Sequence, residues 1–248
     1  MSIKSQLRLL ARKFGVEINR FNASQSHAAR VGVQLASNRV DCILDIGAND
    51  GGYADFIRST GFDSNIISFE PQAIPHAELV KKSISYPNWH IAPRMALGEV
   101  ESELEINIAG NSTSSSLLEM LPSHIKSAPQ SVCIGKEKVA VRRLDSYDDQ
   151  VIRNSKNIYL KIDTQGYEMP VLLGSVGLLN RVVGIQVEMS LIPLYRGQVL
   201  YRELIDWLER AGYVMWGLEP GFQDQLTGRI LQFDGIFYKA DSADLAGN

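Results

Sequence analysis

The chain has only two cysteines in 248 residues. Cys42 and Cys133 are too few for a disulfide framework and lack the paired spacing of metal ligands. It also lacks any apolar run near the ~20 residues that a membrane-spanning helix requires; the longest near-continuous one, residues 169–179, is broken by glycine and serine. Its first residues, MSIKSQLRLLARKF, have neither the long apolar core nor the small-residue cleavage site of a secretory leader. A cytoplasmic setting is the resulting expectation. Nor is the composition biased: 45% hydrophobic and 21% charged residues exclude a disordered, collagenous or coiled-coil chain.

What is present is an uneven charge. The formal net charge is −3, yet residues 1–30 carry six Lys or Arg against Glu17 alone, which is +5. The other 218 residues carry 19 basic and 27 acidic side chains, which is −8. In the basic segment Ile3, Leu7, Leu10 and Phe14 recur at helical spacing, Lys4, Arg8 and Arg12 line another face, and Gly15 ends the pattern. Such a helix packs on its own domain or on a second copy, lies on an anionic lipid surface through residues 1–20, or touches a nucleic acid. The sequence therefore divides into a basic helical arm at 1–37 and one domain at 38–248, with an irregular insertion at about 99–143. The oligomeric state stays open.

From residue 41 the chain alternates between short apolar strands and helices. Strands are expected at 41–46 and 66–69, and a weaker one at 89–91. Helices are expected at 53–60 and 75–84, with Gly61 closing the first. The short connections imply a parallel sheet with helices on both faces. Residues 103–109 and 138–143 instead alternate in polarity, as antiparallel strands do, and enclose the polar cluster at 111–116. The rhythm then resumes, with strands at 157–162 and 182–187, helices from 168 and 201, and two closing strands at 213–218 and 230–238.

Ligands of open parallel sheets bind beyond the carboxyl ends of the strands. Four acids stand at four such ends: Asp45, Glu70, Asp163 and Glu188. One acid there is often only a helix cap; four in register suggest a cleft. The loop Gly47-Ala48-Asn49-Asp50-Gly51-Gly52 allows close backbone approach and offers amide donors where a helix begins. It is not the G-x-G-x-x-G pattern of dinucleotide sites, and Asp45 before it would repel a pyrophosphate while accepting hydrogen bonds from an ammonium. Glu70 stands where it can accept both hydroxyls of a ribose. An ammonium and a ribose together describe S-adenosylmethionine.

With DIGANDG at 45–51, FEP at 69–71, NSTSSS at 111–116, VAVRRLD at 139–145, YLKIDTQGYEMPVLLGS at 159–175 and VEMS at 187–190, the chain resembles the FkbM family of S-adenosylmethionine-dependent methyltransferases over roughly residues 41–240. The resemblance implies an α/β, Rossmann-like class I methyltransferase fold, a mostly parallel seven-stranded sheet with a reversed last strand. It implies methyl transfer to a hydroxyl of a sugar, a glycan or a natural-product scaffold. Cofactor contacts would come from Asp45, Gly47, Ala48, Asn49, Gly51, Glu70 and Pro71, with Ser115 from the serine cluster. The family commonly has Glu where this chain has Gln165.

A hydroxyl acceptor must lose its proton, so a base is expected. Asp163 is the first candidate, with Glu168 and Glu188 near enough to assist. Glu168 is equally suited to the first turn of a helix, where the dipole favours an acid. His124, in the insertion, reads as an exposed residue. Asp163 and Glu188 are the pair a Mg²⁺ ion would use, but no third ligand is evident from spacing, and a required metal is not favoured. The rival readings are an NAD-dependent sugar-modifying oxidoreductase or epimerase, and a binding module that kept the fold without catalysis. The acidic body gives no footprint for a nucleic acid, so none is expected as a partner.

Overall fold

The protein is described by a computed structural model that covers residues 3–16, 18 and 20–241. Glu17 and the side chains of Ile3, Lys4 and Arg8, invoked above for the basic arm, lie outside the described residues. The elements are, in order, α1 (Ile3–Lys13), α2 (His27–Ser37), β1 (Cys42–Ile46), α3 (Gly52–Ser59), β2 (Asn65–Phe69), α4 (Ala73–Ser83), β3 (Trp89–Ile91), β4 (Ala96–Leu97), β5 (Ser102–Ala109), α5 (Pro122–Ser127), β6 (Cys133–Arg142), α6 (Gln150–Asn154), β7 (Ile158–Ile162), α7 (Glu168–Leu173), β8 (Val182–Ser190), α8 (Tyr201–Arg210), β9 (Tyr213–Pro220) and β10 (Gln232–Lys239).

Seven strands form the main sheet in the order β3-β2-β1-β7-β8-β10-β9. All neighbours from β3 to β8 pair in parallel. β10 runs antiparallel to both β8 and β9, so the last strand is the reversed one. The central strands CILDI and IYLKI are buried along their whole length, as strands covered on both faces must be. One face sends Leu44, Ile46, Leu160 and Ile162 against Val171, Leu172, Leu204 and Leu208 of α7 and α8. The other sends Ile43, Tyr159 and Ile236 against Val31, Leu35, Ala54 and Ile57 of α2 and α3. Each such side chain, fully removed from water, contributes about 1.5–3 kcal/mol before the entropy cost of ordering it.

That packing moves the boundary of the arm. α2 was expected within the basic arm at 1–37, but Val31 and Leu35 are each 2% exposed in the core, and Ser26 caps the helix by accepting from the Ala29 amide. Helix α2 belongs to the domain because its buried stripe has a sheet face to cover. The segment before it instead exposes its large apolar side chains: Leu7, Leu10 and Phe14 are 54%, 54% and 79% exposed.

The insertion is a second, three-stranded sheet in the order β4-β6-β5. β5 and β6 are antiparallel, as their alternation implies, around a small core of Ala96, Ile106, Val139 and Val141. β4, two residues pairing in parallel with β6, is too short to leave a periodic signal. After β5 the serine cluster turns back, and Asn107 and Ser116 exchange both backbone hydrogen bonds. This places the cluster over the carboxyl ends of β1 and β7.

Candidate functional site

Strand order reverses between β1 and β7, and a cleft opens at that switch point, as the topology requires. It encloses about 530 Å³, part of it open to solvent, between the ends of β1, β2 and β7 and the insertion. Gly47 makes the floor possible. At φ +81° it brings the β1 loop so near to β7 that a Cβ there would stand 1.8 Å from the Asp163 carbonyl oxygen. Asn49 and Gln165, both lining the cleft, also take positive φ, 47° and 54°. Strain of this kind, about 1–3 kcal/mol per residue, persists where the surroundings over-determine the backbone.

Glu70, at the end of β2, is 2% exposed and held by backbone donors. The Asn49 amide donates to one oxygen at 2.8 Å and the Gln72 amide to the other at 2.7 Å. Burial still outweighs these bonds and pushes the carboxyl up to about 7. A carboxylate has about four lone-pair sites, so each oxygen keeps one for a ligand. Asn49 also donates from its side chain to Ser112 at 3.2 Å, tying the serine loop to the glycine loop.

The other candidates for the cofactor fall into two layers. Gly47, Asn49, Glu70, Pro71 and Ser115 line the cleft, with apolar walls from Phe69, Met95, Leu97 and Tyr167. Asp45, Ala48 and Gly51 do not. Asp45 is buried beneath the loop, accepts from the Ser68 hydroxyl at 3.2 Å, and is pushed up to about 7 by burial, against the opposing pull of Lys161. Gly51, at φ +86°, lets the loop pass against the Trp89 ring.

At the end of β7 an acidic network surrounds a buried cation. Lys161 donates to Asp163 at 3.3 Å and to Asp234 at 3.1 Å, and its Nζ stands 5.7 Å from the centroid of the Tyr53 ring. Burial alone would lower the Lys161 pKa, but Asp163 and Asp234, with Glu188 beyond them, outweigh it and hold it up. Gln165 donates from its amide to Asp163 at 2.9 Å and to Glu188 at 2.7 Å. Its carbonyl accepts from the Tyr195 hydroxyl at 2.8 Å. A glutamate at this position has no donor to offer two carboxylates, which gives Gln165 a physical reason in this chain. The Glu188 carboxyl also accepts from Gln232 at 2.7 Å and is pushed up by burial and by Asp163 and Glu168.

Glu168 is placed apart from this group. It is 3% exposed, and one oxygen accepts from the Thr164 amide, the Thr164 hydroxyl and the Gly166 amide. Burial nevertheless raises it to about 7. Its carboxyl faces into the turn that carries Asp163 and Gln165. Among the described residues no group of three or more His, Cys, Asp or Glu is arranged to hold a metal ion.

A second, more polar cleft, about 990 Å³ with the space open to solvent included, adjoins the first and shares Thr113, Asp163 and Gln165 with it. Its walls come from the serine loop, α5, the end of β8 and the loop joining β9 to β10. Six carboxamides line it, from Asn111, Gln130, Gln165, Gln223, Gln225 and Gln232, together with Asp163 and Glu188, and among the described residues no lysine or arginine lines it. His124 is here, and it is not the exposed residue the sequence suggested: it is 2% exposed. It stacks on Phe222 with centroids 5.0 Å apart and meets Tyr195 edge-on at 5.2 Å. Burial lowers its pKa to about 4, so the ring is neutral at pH 7, and its Nδ1 has no hydrogen-bond partner among the described residues.

Lys161, Tyr195, Gln232 and Asp234 were not anticipated. Lys161 had a signal: a lysine inside IYLKI, an otherwise apolar buried strand, must find counter-charges. Tyr195 and Gln232 had none, since only the tertiary fold brings them to Gln165 and Glu188.

A family model described as the methyltransferase FkbM domain matches residues 45–215, from the acid at the end of β1 into β9. No curated protein matches the chain in sequence. Among solved structures, a putative RNA methyltransferase from Pyrococcus horikoshii is 10% identical, with 98% of this chain and 99% of that one covered and a TM-score of 0.47. A 1,6-didemethyltoxoflavin-N1-methyltransferase from Burkholderia thailandensis, with 1,6-didemethyltoxoflavin and S-adenosylhomocysteine bound, is 10% identical over 97% of this chain and 92% of that one, with a TM-score of 0.48. An rRNA methylase from Streptococcus thermophilus is 9% identical over 87% and 98%, with a TM-score of 0.46.

Proposed function

The chain belongs to the FkbM methyltransferase family, and from that premise we propose that it methylates a hydroxyl of an uncharged sugar, glycan or related natural-product acceptor, using S-adenosylmethionine. The observation that carries this reading is the position of Asp163, whose side chain is 36% exposed and lines both clefts at their shared wall.

The residues of the first cleft fit the donor. Glu70 keeps lone pairs for two ribose hydroxyls, and the apolar walls beside it suit a flat base. Gly47 and Asn49 let backbone close around the ligand, with Pro71 and Ser115 at its edges, while Ala48 and Gly51 shape the loop from behind. Asp45 acts from beneath the loop, as a buried carboxyl that a cationic ligand would draw into its charged form. When bound, S-adenosylmethionine supplies a methyl group on a positively charged sulfur, open to in-line attack.

The protein's own part is to align the acceptor and take its proton. Asp163 is the base. Lys161 and Gln165 fix its two oxygens, and each oxygen retains a lone pair for an acceptor hydroxyl. Glu188 assists through Gln165, and Glu168 positions the turn rather than touching substrate. Held alignment of this sort can supply about 7–11 kcal/mol of a barrier. The six carboxamides of the second cleft can each both donate and accept, which matches a surface of hydroxyls. Its two carboxylates and lack of cations disfavour a phosphorylated or polyanionic acceptor, nucleic acid included.

Replacement Asp163→Asn keeps the shape and removes the base. Labelled-methyl transfer to extracted glycans should fall at least ~100-fold, within the usual span for loss of a general base. Affinity for S-adenosylhomocysteine should stay within about threefold. Undiminished turnover would remove Asp163 from the mechanism.

A further inference from the structure

We infer that α1 is a membrane-surface anchor, which docks the protein on anionic lipid through one apolar stripe and the cations beside it. Along Ile3–Lys13, a sequence IKSQLRLLARK with no acid in it, Leu7, Leu10 and the following Phe14 recur every three or four residues and so share a face. All three are more than half exposed. The chain beyond continues the exposed apolar surface with Val16, Ile18 and Phe21 at 53%, 46% and 75%. Large apolar side chains held in water at this density mark a contact surface.

Charge selects the occupant. The segment before α2 is strongly cationic, with Lys4, Arg8, Arg12, Lys13 and Arg20 against Glu17, while the rest of the chain is acidic. An anionic bilayer would repel that body and attract this arm, so the arm is the surface that faces it. A nucleic acid would answer the cations but leave the Leu and Phe stripe in water. A second copy would cover the stripe, but eleven residues make a helix only about 16 Å long. One side of a stable dimer interface covers about 800 Å², more than a single stripe of that length offers. A bilayer answers both the stripe and the charge, in the manner of interfacial helices. This inference does not depend on the reaction proposed above.

The test is co-sedimentation of the full chain with vesicles of phosphatidylcholine alone and of phosphatidylcholine with 30 mol% phosphatidylglycerol, beside the double variant Leu10→Asp/Phe14→Asp. The intact chain should partition onto the anionic vesicles at least tenfold more than onto the neutral ones, and raised salt should reduce it. The variant should lose at least tenfold while melting at the same temperature, since neither side chain is packed in the body. Equal partitioning onto both vesicles, undiminished binding by the variant, or a vesicle-independent dimer that the variant dissociates would each overturn the inference.

Discussion

The two clefts meet at Asp163 but are built in opposite ways. The first is framed by backbone at the ends of adjacent parallel strands, a glycine loop, two amides fixing Glu70 and a serine loop hydrogen-bonded down onto Asn49, and is walled by the apolar side chains of Phe69, Met95, Leu97 and Tyr167. The second is made of side chains gathered from six separate stretches between residues 111 and 232. A backbone-built site has little freedom to change, because altering it means altering the fold. A side-chain site can be remodelled one residue at a time. On this account the first cleft carries what the family shares, and the second carries the choice of acceptor.

The largest expected effect breaks the first cleft alone. Gly47→Ala would place a methyl against the backbone of Asp163 at a positive φ, so neither side can yield cheaply. Binding of S-adenosylhomocysteine should be lost, and the melting temperature should fall by at least about 5 °C, as ~2–3 kcal/mol of strain implies for a chain of this size. A variant that melted and bound normally would show that β1 and β7 need not approach so closely.

A smaller effect sharpens the contrast through pH. Asp45, Glu70 and Glu168 sit under or beside the first cleft, and burial pushes each to about 7, against about 4 in an unfolded chain. Between those values the folded state keeps protons that the unfolded state has released, so stability falls as pH rises through the window. The ligand-free protein should therefore melt several degrees higher at pH 5 than at pH 8. Scanning calorimetry across that range reads the effect, and a rising melting temperature would mean that these carboxyls are already ionised in the fold.

The same contrast explains what the sequence could reveal. The fold, and where the first cleft would open, were legible because DIGANDG and FEP are contiguous and end at adjacent strand ends, though Asp45, Ala48 and Gly51 do not line the cleft. The reversed β10 was implied by the family resemblance, with which the two closing strands were consistent. The second cleft was hardly legible. His124 gave no sign of being buried, because its partners Phe222 and Tyr195 are about 100 and 70 residues away along the chain and only packing brings them together. The edge of the domain was misplaced for a related reason: the basic character of residues 1–30 obscured the short apolar stripe of α2. In Gln165 the departure from a family pattern was visible, but its cause, two carboxylates requiring one donor, is a fact of three dimensions.

The central claim is that the first cleft receives S-adenosylmethionine with Glu70 on the ribose. Calorimetric titration of S-adenosylhomocysteine into the intact protein and the Glu70→Ala variant tests it directly. One ligand should bind per chain, and the variant should bind at least about tenfold more weakly, since hydrogen bonds to a charged group contribute about 1.5–3 kcal/mol each. Equal affinity in a folded variant, or no binding by the intact chain, would contradict the account.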